Sequence, residues 1–260
     1  MDCHSSEPDF NDKCRSEKPI NLLAMKKVLF AIVVALVLTG TQSCVYIEDD
    51  VPPRGTATRT FDFKNFTDLK MGNAFRVHIT EGTTYAVTAT GEQNDLDDLQ
   101  IFVQDGQLVA RYDRSWSHRR RMDIDIVMPV LSKVDFSGAV NSDIIGFEDL
   151  TRLDFELSGA SRCDFKGSAK NLLFDLSGAS RLDLSGDSQY LDGELSGASQ
   201  INAFDLRTEE SEINLSGASD ARVWVTKFLK VDASGASSVR YKGNPGIDKQ
   251  LSGGSTLRKE

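Results

Sequence analysis

Glu156, Asp175 and Glu194 each stand two positions before a copy of the tripeptide Ser-Gly-Ala. Carboxylates repeated at such intervals offer hard oxygen ligands, and the chemistry they could do is weak binding of calcium. The same column begins at Asp135 and continues through Asn214, Asp232 and Gln250. A solvated wall that keeps sheets from aggregating has the same composition, and the calcium-binding glycine-aspartate nonapeptide is absent, which favours the wall. Arg162 and Arg181 are the cations expected to relieve its repulsion.

A second candidate is the run from Ser115 to Arg121, which holds Trp116, Arg119, Arg120 and Arg121. Tryptophan stacks and arginine recognises acidic groups, so the run fits contact with an anionic glycan or an envelope protein. A solvated hairpin tip has the same residues. Gly186-Asp187-Ser188 has the outline of a hydrolase nucleophile motif, yet the histidines are His4, His78 and His118, and none follows it. No histidine or cysteine cluster with zinc spacing is present, nor a phosphate-binding glycine loop or dinucleotide fingerprint. The expected catalytic set is therefore empty, and no cofactor is expected beyond weakly held calcium.

The elements that must carry these residues are set by a cadence. Ser-Gly-Ala occurs at Ser137, Ser158, Ser177, Ser196, Ser216 and Ser234, and Ser252-Gly253-Gly254 is a seventh copy. Successive serines are 21, 19, 19, 20, 18 and 18 residues apart, one supersecondary unit recurring. Apolar residues alternate on both sides of the tripeptide, as in Val134 and Phe136 before it and Ile144 after it. Each unit thus reads strand, tight corner, strand. At the corner, glycine supplies positive φ, alanine is expected to point inward, and serine to bond backbone amides. A unit this short cannot hide its apolar face alone, so copies must stack in parallel as a right-handed β-helix of about seven coils. Lys249 and Lys259 enter otherwise apolar columns in the last copy, as a terminal unit requires.

Upstream, alternation at Phe75, Val77 and Ile79 and again from Met122 to Met128 predicts further strands. Asp105-Gly106 predicts a hairpin, and Asn94 is expected to cap a short helical turn up to Leu99. A second outward column runs Asp143, Asp164, Asp183, Asn202, Arg222, Arg240, Arg258, acidic at one end and basic at the other. That gradient suits end-to-end association into a homo-oligomer; ordinary surface variation explains it equally well. Cys163 falls at an apolar strand position and reads as a buried, inert thiol.

Met25-Lys26-Lys27, the apolar run Val28 to Leu38 and the small residues before Cys44 have the zones of an export signal ending in a lipidated cysteine. Eleven apolar residues are too few to span a bilayer. Residues 1–24 precede a better initiator at Met25. The expected organisation is 1–43 extension and signal peptide, 44–60 lipidated cysteine and tether, 61–130 N-terminal β region, and 131–260 repeat β-helix. A formal net charge of -9 argues against a nucleic-acid partner.

The sheet-like region followed by Leu-Ser-Gly-Ala-Ser units, behind such a leader, resembles the bacterial family called "putative auto-transporter adhesin, head GIN domain". The resemblance spans roughly Phe61 to Leu257. It implies a β-solenoid and a role in adhesion, and brings no catalytic residues. The expected function is a non-enzymatic envelope binding or adhesion module, held to the outer membrane through lipid on Cys44, facing the cell surface or the periplasm. The rivals are a polysaccharide-active enzyme of pectin-lyase-like shape and a purely structural envelope protein.

Overall fold

The computed structural model describes residues 52–114 and 118–260, so Cys44 and Trp116 lie outside the described residues. The N-terminal elements are β1 (Thr56–Phe61), β2 (Asp68–Met71), β3 (Arg76–Glu81), β4 (Ala86–Glu92), the helix α1 (Gln93–Asp98), β5 (Leu99–Gln104), β6 (Gln107–Tyr112) and β7 (Asp123–Met128). The repeats supply β8 (Lys133–Phe136), β9 (Asn141–Ile145), β10 (Leu150–Leu157), β11 (Arg162–Leu176), β12 (Arg181–Leu195), β13 (Gln200–Leu215), β14 (Asp220–Ala233), β15 (Ser238–Lys242), β16 (Gly246–Leu251) and β17 (Thr256–Lys259). The chain is a β-solenoid. Among the described residues no helix is long and apolar enough to cross a membrane.

Parallel register follows the repeat directly. Phe155 pairs with Phe174 and Cys163 with Leu182, while Leu157, Leu176, Leu195 and Leu215 succeed one another on adjacent strands. Equivalent apolar side chains therefore climb a common interior, and their burial is nearly complete from Val134 to Val239. Gly193 interrupts that interior column because its partner Phe174 fills the space: a Cβ there would lie 2.7 Å from the Phe174 ring.

The corners hold by backbone hydrogen bonds between coils. The N–H of Ala160 donates to the carbonyl of Gly138, that of Ala179 to Gly159 and that of Ala198 to Gly178, each at 2.7 Å. Glycine is required twice over, since φ is near +70° and a Cβ on Gly159 would approach the Gly138 carbonyl oxygen to 2.5 Å. Two expectations about the corner are corrected. The alanines are exposed, and the buried small residue is the serine after them, as at Ser161, Ser199, Ser219 and Ser237. Those serines donate their hydroxyls to carbonyls three residues back, for example Ser199 Oγ to the Ser196 carbonyl at 2.9 Å, and the opening serines Ser216 and Ser234 donate to the Leu195 and Leu215 carbonyls rather than bonding amides.

No break in the sheet occurs at the expected boundary after residue 130. Strand β2 pairs in parallel with both β8 and β6, and β3 with both β9 and β7. Gly72-Asn73-Ala74 forms a corner of the same design, with Asn73 at φ 65° accepting from the Ala139 N–H in glycine's place. Among the described residues β1, β4 and β5 pair solely in antiparallel fashion, β4 with β1 and β7 and β5 with β6, and they finish the N-terminal end. The Asp105-Gly106 hairpin joins β5 to β6 with both residues at positive φ, the geometry of a tight primed turn. Helix α1 is capped by Glu92 rather than Asn94: its carboxylate accepts from the N–H groups of Asn94 and Asp95.

Candidate functional site

Glu156, Asp175 and Glu194 stand in register on neighbouring strands, with Asp135 on the rung before them and Asn214 on the rung after. All three point outward and are exposed. Lysines, not the expected arginines, neutralise one end of this ladder: Lys70 binds Asp135 and Lys133 Nζ lies 2.6 Å from Glu156 Oε1. Hydrogen bonding to Glu156 raises the Lys133 pKa above its ordinary value. Arg162 and Arg181 belong instead to the strands after the corner. Among the described residues no group of three or more histidine, cysteine or carboxylate side chains converges as a metal site would require.

On the other face, Asp143, Asp164, Asp183, Asn202, Arg222, Arg240 and Arg258 form the second expected column, rung upon rung. His78 extends it on the N-terminal side, with Nδ1 2.5 Å from Asp143 Oδ1. Two adjacent carboxylates diverge. Burial raises the Asp164 pKa, aided by the charge of Asp183 and a hydrogen bond to it. Burial would raise Asp183 as well, but hydrogen bonds from Arg181 and Asn202 bring it below the usual carboxylate range. The pair is thus split in how readily its two members ionise. It sits on a flat ladder, and neither of the clefts described below includes it.

The arginine run divides into two roles. Arg119 is mostly covered: its guanidinium binds Asp95 and Asp98, and its Cζ lies 3.8 Å from the Tyr112 ring centroid. Burial pushes the Tyr112 hydroxyl well above its ordinary pKa, reinforced by the charges of Asp95 and Asp98. Arg119 thus fastens the chain to α1 and is not available to a ligand. Arg120 and Arg121 are exposed and line a cleft of about 380 Å³ with Pro53, Thr90, Glu92 and Asp123. Arg121 Nε donates to Asp123 Oδ1 at 2.8 Å.

A larger groove, of about 570 Å³, was not anticipated from the sequence. It crosses five successive strands, β10 to β14, along the flank opposite the Ser-Gly-Ala corners. Asp149, Lys170, Asp187, Gln189, Arg207 and Lys227 are among its lining side chains. Ser188, the serine of the apparent nucleophile motif, lies on its floor and donates its hydroxyl to the Tyr190 carbonyl at 2.8 Å. Cys163 is fully buried, and burial pushes its thiol up to about 12, as suits an inert core residue.

Among curated proteins none matches this chain. Solved structures do. A putative adhesin from Bacteroides fragilis NCTC 9343 superposes with a TM-score of 0.74 at 25% identity, covering 80% of this chain and 98% of its own. A putative lipid binding protein from Parabacteroides distasonis ATCC 8503 gives 0.68 at 17% identity, covering 80% and 97%. A putative adhesin from Parabacteroides merdae ATCC 43184 gives 0.60 at 17% identity, covering 79% and 96%. The latter two share the fold. Residues 65–245 match the family described as "Putative auto-transporter adhesin, head GIN domain", so corners, register and flat outward ladders together assign this chain to that family of adhesin-like β-solenoids.

Proposed function

We propose that this protein is a non-enzymatic binding or adhesion module of the bacterial cell envelope, exported and held at the outer membrane by lipid on Cys44. The observation that carries the reading is the family match over residues 65–245, joined to a solenoid whose side chains are stacked outward in long, rigid rows. Such a scaffold orders many surface groups at little conformational cost, because the strands in the middle of the stack, such as β11, β12 and β13, are fixed by neighbours on both sides. Arg120 and Arg121 supply one contact for acidic groups, with Trp116 close by in sequence as a stacking partner. The acidic ladder acts as a solvated wall.

The test has two arms. Metabolic labelling with a radioactive fatty acid is expected to mark the wild type and not Cys44→Ser. Cells lacking the protein are expected to attach less well to immobilised glycan or to neighbouring cells, with recovery by wild type and not by Cys44→Ser. Unlabelled wild-type protein removes the lipid anchor from the account, and unchanged attachment of the deletion strain removes adhesion.

A further inference from the structure

From the groove on the flank of the solenoid we infer a binding site for a neutral, linear glycan, which gives the binding module above a ligand class and rests on that reading. Its axis runs along the stack, so the wall groups repeat every rung, about 4.8 Å, and the five strands from β10 to β14 give a trough of about 19 Å. That rung spacing is close to the length of one hexopyranose. The groove therefore offers polar contacts, different in kind on each rung, at about the spacing of consecutive sugars.

The chemistry of the walls suits hydroxyl-rich chains. Asp149, Asp187 and Glu209 face Lys170, Arg207 and Lys227, so the lining charges cancel and a polyanion gains nothing from the groove. Lys227 and Glu209 pair with each other at 2.6 Å. The side chains of Lys170, Asp187, Gln189 and Arg207 have no hydrogen bond or ion pair among the described residues, and remain as donors and acceptors for a ligand. The floor is low because Ala169 and Ser188 are small.

Two further observations point to the same place. Among the described residues the exposed large hydrophobic side chains are six, and the two aromatic ones, Tyr190 and Phe228, directly follow the lining residues Gln189 and Lys227 in the chain, just past the groove's rim. Both pair with Glu210 from opposite sides, so they stand two rungs, about 10 Å, apart on one face. Exposed rings at that separation form a stacking rail for the apolar faces of alternate sugars. The register of β13 against β14 also slips between Ala203 and Arg207 and again between Thr208 and Glu210. Such bulges re-aim side chains, and these lie beside Arg207 and Glu209 of the groove wall.

The mature full-length protein applied to an array of gluco-, xylo- and manno-oligosaccharides, with their uronic-acid and sulfated counterparts, tests the assignment. Binding to one or more neutral chains is expected. Tyr190→Ala and Arg207→Ala should each weaken it by about tenfold or more, with Lys170→Ala as an exposed variant that leaves folding intact. Arg152→Ala, outside the groove, should bind as wild type. Silence toward neutral chains, binding confined to acidic ones, or wild-type affinity in both Tyr190→Ala and Arg207→Ala overturns the site. If affinity falls only in Arg120→Ala, the groove is wrong while adhesion through the arginine cleft survives.

Discussion

At the scale of single residues, two kinds of position set the behaviour of this fold. Corner glycines combine a left-handed backbone with a close stack on the carbonyl below: at Gly197, φ is +73° and a Cβ would lie 2.7 Å from the Gly178 oxygen. Gly197→Ala is expected to lower stability by about 2 kcal/mol or more in denaturant melts, since the left-handed backbone alone costs an alanine about 1–2 kcal/mol. The second kind is the outward carboxylate held among like charges. Asp164 titrates above its ordinary range in the fold, so its favourable contribution is complete in acid, below its unfolded pKa, and is lost as pH rises through the folded value. Asp164→Asn should therefore be more stable than wild type at neutral pH, by less than about 1 kcal/mol because solvent screens an exposed group. Thermal melts across pH check this: the advantage should vanish in acid, where both side chains are neutral.

Elements were legible to different degrees, and the reasons are physical. The repeat coils could be read because a buried column forces the same apolar alternation every 18 to 21 residues. Gly72-Asn73-Ala74 escaped because asparagine tolerates positive φ and stands in for the corner glycine, so a coil of equal standing carries no Ser-Gly-Ala mark. The helix cap was displaced by two residues because Glu92 is long enough to reach forward and accept from the N–H groups of Asn94 and Asp95 in the first turn, a role that Asn94 was expected to supply. The groove was invisible because its walls come from the bulged side of the coil, where register slips and no column keeps a constant spacing. The arginine run was found by composition, but its division into a fastener and two exposed groups depends on burial. At this scale Arg119→Ala should destabilise by about 3 kcal/mol or more, because it removes the guanidinium that binds both Asp95 and Asp98 at 5% side-chain exposure and leaves Asp98 with the longer Arg114 contact of 3.7 Å. Chemical denaturation reads that loss, and a neutral-pH effect below about 1 kcal/mol contradicts the fastener role.

For the whole molecule, the two ends of the solenoid are finished differently. Antiparallel strands and a helix close the N-terminal end, whereas β16 and β17 each pair on one side, with β14 and β15. Ile247 and Leu251 are exposed on β16 with Lys249 between them. A lysine on such an edge blocks pairing with a second chain. Lys249→Val is accordingly expected to form dimers or larger species at concentrations where wild type stays monomeric, read by sedimentation velocity. A monomeric Lys249→Val would show that the edge is protected by other means.

Attachment to glycan or to neighbouring cells, the form of adhesion proposed above, requires display outside the outer membrane. Intact cells treated with a membrane-impermeant, amine-reactive biotin reagent report this most directly, because Lys170, Lys227 and Lys249 are all on the solenoid's surface. The account predicts biotin on this protein while a periplasmic protein in the same cells stays unlabelled. An unlabelled protein on intact cells that becomes labelled once the outer membrane is opened contradicts it.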